Sequence, residues 1–306
     1  MASRLQTNEK SLVRIAVQGQ VVPPRCYGWE VTAEGTAVML PSVGGITYNV
    51  RLGDPAFGWV ADHVEPGVSF AAAKGKPDEN PNRALSAYAC IGNTVRLISG
   101  PADGRTGVVT GKHGGVEHLI VDFPPDVLRK LHGDDRIRVE AWGTGLELLE
   151  FPDIRLFGVC PELLHRMRLR KDSQGRLVVP VAAVIPPELM GSGVGSNDSY
   201  KGDYDLQTQD QATLQRLGLH RLRLGDVVAL RDQDTRWGVG YRRGAVSIGV
   251  VIHGDSRLSG HGPGIQVIMT CGDGRILPRT SAAANIARYL GIGRFRSSRG
   301  KPRSRT

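Results

Sequence analysis

Five of the eight histidines stand in short loops rich in glycine and carboxylates, a residue mix suited to a polar site rather than to a core. The densest of these loops is Gly111-Lys112-His113-Gly114-Gly115-Val116-Glu117-His118. Titratable groups resist burial without partners, so this concentration beside glycine points to chemistry. His113 and Glu117, flanking the doubled glycine, suit proton transfer, and Lys112 suits stabilisation of developing negative charge; these three are the candidate catalytic residues. A strand beginning at Val116 would send Glu117 and His118 to opposite faces. In Asp62-His63-Val64-Glu65-Pro66-Gly67, His63 and Glu65 share a face if extended. With His118 they are the candidate ligands of a divalent metal (zinc, manganese or iron), the alternative being a plain His–Glu hydrogen bond. His253, Asp255 and His261 repeat this chemistry in the second half and are the candidate substrate-binding residues.

The elements that must position these groups are mostly short strands. Apolar alternation predicts strands over 11–18, 28–32, 36–40, 46–50, 94–99, 107–110, 117–123 and 136–142, with glycine, proline and serine between them. Asn80-Pro81 opens a helix running to Ile91, and Pro124-Pro125-Asp126 a shorter one. Past a charged stretch, strands are expected at 177–181, 227–230, 246–252 and 265–270, with helices near 209–217 and 282–290. An antiparallel pairing of 246–252 with 265–270 would bring His253, Asp255 and His261 to one edge. Leu52-Gly53-Asp54, Gly133-Asp134 and Leu224-Gly225-Asp226 each read as a turn before a strand, so their aspartates are assigned to structure. Gly191-Ser192-Gly193-Val194-Gly195 lacks the Lys-Ser/Thr of a phosphate loop and reads as a flexible loop that could still bind an anion.

The fold class that follows is β-rich α+β: two barrel- or sandwich-like domains with a few short helices, spanning 1–160 and 161–292, then a disordered basic tail over 293–306. At 306 residues there is chain enough for two cores, and the 40 glycines and 18 prolines favour turn-rich sheet over helical bundle. Much of the +9 net charge belongs to the last nineteen residues, which hold no acid. Nucleic acid is therefore excluded as a partner except through that tail. The four cysteines (Cys26, Cys90, Cys160 and Cys271) form no CxxC pair, which argues against a disulfide framework or thiolate zinc site. The polar N-terminus has no apolar signal core and no run is long enough to span a membrane, so a cytoplasmic protein is expected.

The stretches GGITYNV (44–50), DHVEPGVS (62–69), ACIGN (89–93), TGKHGGVEH (110–118), MGSGVG (190–195), GDYDLQTQD (202–210) and HGPG (261–264) give a resemblance. In this order they resemble a bacterial and archaeal two-domain family classified as a domain of unknown function, number four-four-three-eight. The resemblance implies two β-rich domains, loosely similar to cyclophilin-like barrels, and no established reaction. Leu224-Gly225-Asp226-Val227-Val228-Ala229 is also similar to strand starts of acetamidase/formamidase enzymes, although their Gly-Gly-Asn-Met-Asp signature is absent. That similarity implies amide or cyclic-amide chemistry.

Two functional expectations follow. The first is a metal-assisted enzyme, a hydrolase or lyase, that cleaves a small polar carbonyl or amide compound. The second is a non-catalytic small-ligand-binding or homo-oligomeric scaffold protein. Convergence of Lys112, His113, Glu117, His63 and His253 on one concave surface would favour the enzyme, and their dispersal the scaffold.

Overall fold

The protein is described by a computed structural model covering residues 5–72, 79–200 and 202–297. Its N-terminal half contains β1 (Ile15–Val21), β2 (Glu30–Val31), β3 (Ala37–Val38), β4 (Val68–Ala71), β5 (Thr94–Leu97), β6 (Thr106–His113), β7 (His118–Asp122) and β8 (Arg136–Ala141). Six of these strands close into a barrel in the order β1-β4-β7-β6-β5-β8, while β2 and β3 form a separate hairpin. Every neighbouring pair in the barrel is antiparallel. Alternation explains the closure. In β8 the residues Ile137, Val139 and Ala141 are buried and the arginines and glutamate between them are exposed. The inward set packs with Phe70, Leu119, Val121 and Phe123 to fill the barrel, so it has a core rather than a pore. Helix α1 (Asn80–Tyr88) sets Leu85 against that core.

The C-terminal half follows β9 (Arg155–Leu156). It is built from β10 (Arg170–Lys171), β11 (Leu177–Val181), β12 (Ala183–Ile185), β13 (Tyr204–Asp205), β14 (Val227–Asp234), β15 (Gly240–Val251), β16 (Gly264–Cys271) and β17 (Ile276–Thr280). A six-stranded sheet runs β12-β14-β15-β16-β13 with β9 also on β16, and a second sheet runs β10-β11-β17. All of β16 is buried, consistent with its continuous Ile, Val and Met content. The antiparallel pairing of β15 with β16 is the one expected for 246–252 and 265–270. Short helices α2 (Pro125–Leu128), α3 (Pro161–Arg166), α4 (Gln211–Arg216) and α5 (Ile286–Leu290) complete a β-rich fold. Among the described residues no helix is long and apolar enough to cross a membrane.

Three expectations need correction. Residues 46–50 form no strand; only Ile46 bridges to Val68, leaving this stretch as a loop beside β4. Strand β7 begins at His118 rather than Val116, because residues 114–117 make a four-residue turn that Glu117 ends in the left-handed region, at φ 54°. The start of the basic tail engages the fold: Arg294 forks onto Asp54 at 2.6 and 2.9 Å, and Arg296 pairs with Asp122 at the end of β7. The remainder of that tail, 298–306, lies outside the described residues.

The Gly-Asp turns behave as structural devices. Asp54 accepts from Arg51 N–H and Asp226 from Arg223 N–H, while in the middle case Asp135, one residue beyond the expected Asp134, accepts from His132 N–H. The β6–β7 hairpin crosses to the other half. Gly111 lies so close to Ile252 that a β-carbon would fall 2.5 Å from its Cγ2. Next to it, Lys112 N–H donates to Gln266 Oε1 at 2.9 Å.

Gly67 sits where the Glu65 loop enters β4, at φ 85°, and a β-carbon there would lie 2.4 Å from the Val121 carbonyl oxygen. Gly67→Ala should therefore combine backbone strain with a clash against β7 and cost about 3 kcal/mol in denaturant unfolding. Gly35→Ala, at φ 79° with nothing within 4 Å, meets strain alone and should cost only about 1 kcal/mol.

Candidate functional site

Glu65 lies fully buried below the β6–β7 hairpin and is saturated by donors. Its Oε1 accepts from His113 Nδ1 and His118 Nε2, both at 2.5 Å. Its Oε2 accepts from Ser69 Oγ at 2.6 Å and Gly44 N–H at 2.9 Å. Burial favours the neutral acid, but His118 and His113 overcome it and hold the carboxyl well below the usual carboxylate range. The two histidines are register partners across the hairpin, so one carboxylate can reach both. With all four contacts made, the Glu65 carboxylate is saturated, and one ring nitrogen of each histidine is taken up in doing so.

The next layer is built differently. His113 stacks on His253, centroids 4.3 Å apart and planes 15° from parallel. His253 Nδ1–H donates to Gly254 O at 2.8 Å, which turns Nε2 toward Asp203 Oδ2 at 3.0 Å and Asp205 Oδ1 at 3.2 Å. None of these three buried atoms makes a hydrogen bond of sound geometry. Gly264 leaves room for them, since a β-carbon there would fall 2.1 Å from both Asp203 Oδ2 and His253 Nε2. Burial works against charge on His253, yet Asp203 and Asp205 raise its pKa well above the ordinary value. Burial and the neighbouring His253 together lower that of His113. The Asp203 carboxyl is held low, against burial, by His113 and His253. Asp203 Oδ1 also accepts from Gly114 N–H at 2.8 Å, which ties the hairpin turn to the second half.

His63 lies above this pair, its ring 5.1 Å from His253, 5.8 Å from His113 and 5.8 Å from His261. Its Nδ1 is bonded to Asp62, whose carboxyl also accepts from Ser256 Oγ and Arg257 N–H. Burial alone would raise Asp62, but these partners bring it down to about 2. His63 occupies the left-handed region at φ 51°, fixed by its own N–H donating to Asp255 O at 3.1 Å. Thus Asp62, Glu65 and the Gly254 carbonyl engage Nδ1 of His63, His113 and His253 in turn. This second-layer arrangement is typical of metal-ligating histidines, whose other nitrogen is left for the ion. Three groupings among the described residues have ligand atoms within metal-binding reach of one another: Glu65/His113/His118, whose carboxylate is already taken up by hydrogen bonds, His113/Asp203/His253 and His63/Asp205/His261.

These residues border a cavity of about 700 Å³ between the halves; Asp62, His63, His113, Asp203, Asp205 and His261 line it. Glu117 and Arg25 line it too, Arg25 being the one guanidinium or ammonium among the described lining residues. The structure therefore brings together His113, His63, His253 and His261, with Glu117 at the wall. Lys112 is not among them. It points from the opposite face of β6, buried, with Nζ donating to Tyr200 O at 3.2 Å, and burial lowers its pKa to about 8. Asp255 contributes its backbone to His63 rather than a side chain to the cavity wall, and burial pushes its carboxyl up to about 6. The expected metal trio is divided: Glu65 and His118 meet in the lower layer, His63 in the upper.

Asp203, Asp205 and Asp62 were not among the expected site residues. Asp203 and Asp205 carried a signal, because an Asp-x-Asp pair on a strand presents both carboxylates to one face. The glycine loop at 191–195 is no anion cradle: amides of Gly191, Ser192, Val194 and Gly195 already donate to backbone carbonyls.

Profiles of a family described as Domain of unknown function (DUF4438) match this chain, the N-terminal one over residues 29–165 and the C-terminal one over 166–290. The chain is also similar to TM1086, a protein of known crystal structure, at 46% identity and a TM-score of 0.89, covering 94% of this chain and 100% of that one. No curated protein matches it. The chain belongs to the two-domain DUF4438 family.

Proposed function

We propose that this protein is a metal-dependent enzyme that cleaves a small polar carbonyl or amide compound at the inter-half cavity. The observation that carries the reading is the buried His253 Nε2, which faces Asp203 Oδ2 at 3.0 Å and Asp205 Oδ1 at 3.2 Å with none of the three atoms in a well-aligned hydrogen bond. Buried polar atoms are rarely left in this state, and two carboxylates facing one imidazole nitrogen call for positive charge. An imidazolium proton can be directed at only one carboxylate at a time. A divalent cation answers both, and adjacent ligands on an ion at ~2.1 Å are separated by about 3 Å. His113, His253 and Asp203 supply two nitrogens and a carboxylate, a set suited to zinc, iron or manganese that leaves positions open for substrate.

A cation held there would polarise the substrate carbonyl and lower the pKa of water. The chain's own groups do the rest. Glu117, at the cavity wall, takes the proton as the water oxygen adds to the carbonyl carbon. It returns that proton to the departing nitrogen as the C–N bond breaks. Arg25 faces the same space and suits a substrate carboxylate or the developing oxyanion. Because Glu30, Asp62, Asp198, Asp203 and Asp205 also line the cavity, a nucleic-acid backbone would be repelled and a small molecule is favoured.

Elemental analysis of tag-free protein should find stoichiometric divalent metal, and His253→Ala should lower metal affinity at least about 100-fold. Absence of bound metal after reconstitution with zinc, manganese and iron would sink this reading. Glu117→Gln should retain metal but lose about 10²–10⁴-fold in turnover of small amides. Wild-type turnover in that variant would remove Glu117 from the proton path.

A further inference from the structure

We infer that the cavity holds a second divalent cation, bound by His63, His261 and Asp205 and sharing the Asp205 carboxylate with the first. The inference rests on the reading above and extends it from one ion to two.

The second grouping repeats the first in composition, with two histidines and one aspartate whose ligand atoms lie within 4.8 Å of one another. It differs in position: all three of its residues line the cavity, where in the first His113 and Asp203 line it and His253 is fully buried behind them. Three observations independent of that grouping converge on it. Asp205 Oδ1 is buried without a hydrogen-bond partner and lies between the two sets. The His63 ring is anchored at Nδ1 by Asp62, leaving Nε2 as its available nitrogen. His63 also holds a left-handed backbone, at φ 51°, a conformation an imidazole residue adopts at a cost and which here is fixed from both sides.

The spacing suits a pair of ions. His63 stands 5.1 Å from His253 and 5.8 Å from His113, ring to ring, so ligands of both sets surround one small volume. Two-metal hydrolytic sites place their ions about 3.5–4 Å apart, a gap one carboxylate can bridge. Asp205 in β13 and Asp203 just before it supply this economically: Asp203 groups with His113 and His253, while Asp205 groups with His63 and His261 and also faces His253 at 3.2 Å.

Titration of the full chain with Mn²⁺, followed by calorimetry and electron paramagnetic resonance, tests the inference. Two equivalents should bind, and the doubly loaded protein should show the spectrum of a spin-coupled Mn²⁺ pair. His261→Ala lies on a half-buried loop and should leave folding intact. It should retain one equivalent and replace the coupled spectrum with that of an isolated ion; His63→Ala should do the same. One equivalent in the wild type, unchanged in His261→Ala, would overturn the second site while leaving the single-metal reading standing. No bound Mn²⁺, Zn²⁺ or Fe²⁺ at all would overturn both.

Discussion

The arrangement depends on a buried carboxylate that is fully satisfied by donors. Glu65 has no access to water, and an unpaired charge there would be prohibitive. Four donors from three separate segments, Gly44, Ser69 and the hairpin histidines, make it tolerable. The cost of removing any one of them locks these segments together. Because Glu65 occupies Nδ1 of His113, the ring is fixed in orientation before any ligand arrives, and His253 can stack on it at 4.3 Å. A hydrogen bond inside the barrel half thereby sets geometry at the surface shared by the two halves.

That surface is drawn together by atoms with few alternatives. Gly111 must be glycine to admit Ile252, Gly264 to admit Asp203 and His253, and Gly114 N–H reaches across to Asp203. Lys112 belongs to this scaffolding. Its backbone bonds Gln266 and its ammonium bonds Tyr200 O, so it joins β6 to the second half from the face away from the cavity. A buried lysine with a depressed pKa often marks chemistry, but here burial explains the shift and Lys112 does not line the cavity that holds the histidines.

Much of this was legible in the sequence, and the rest for physical reasons was not. Period-two alternation in 136–141 and the apolar β-branched run at 246–251 identified strands, because such patterns fit only a half-buried or fully buried sheet. The doubled glycine at 114–115 marked the turn. Its length was hidden: a left-handed Glu117 carries no sequence signal, and it shifts His118 onto the face of His113. The histidine loops pointed to the site, since polar groups framed by glycine have little other use. Side-chain direction was harder. Lys112 and His113 are adjacent in sequence and opposite in space, and β6 carries a bulge between Val109 and Gly111 that a one-dimensional pattern does not show. Asp203 and Asp205 stand two apart in the sequence, but their meeting with His253, far along the chain, is a product of the β13–β16 pairing.

On the function we propose, a divalent ion completes the Asp203, Asp205 and His253 cluster. Anomalous diffraction from crystals of the protein loaded with Zn²⁺ tests this most directly. The expected result is a peak about 2.0–2.2 Å from His253 Nε2 and from an Asp203 oxygen, with Glu65 still bonded to His113. A cluster without a peak, in which His253 Nε2 donates a direct, well-aligned hydrogen bond to one carboxylate, would contradict it.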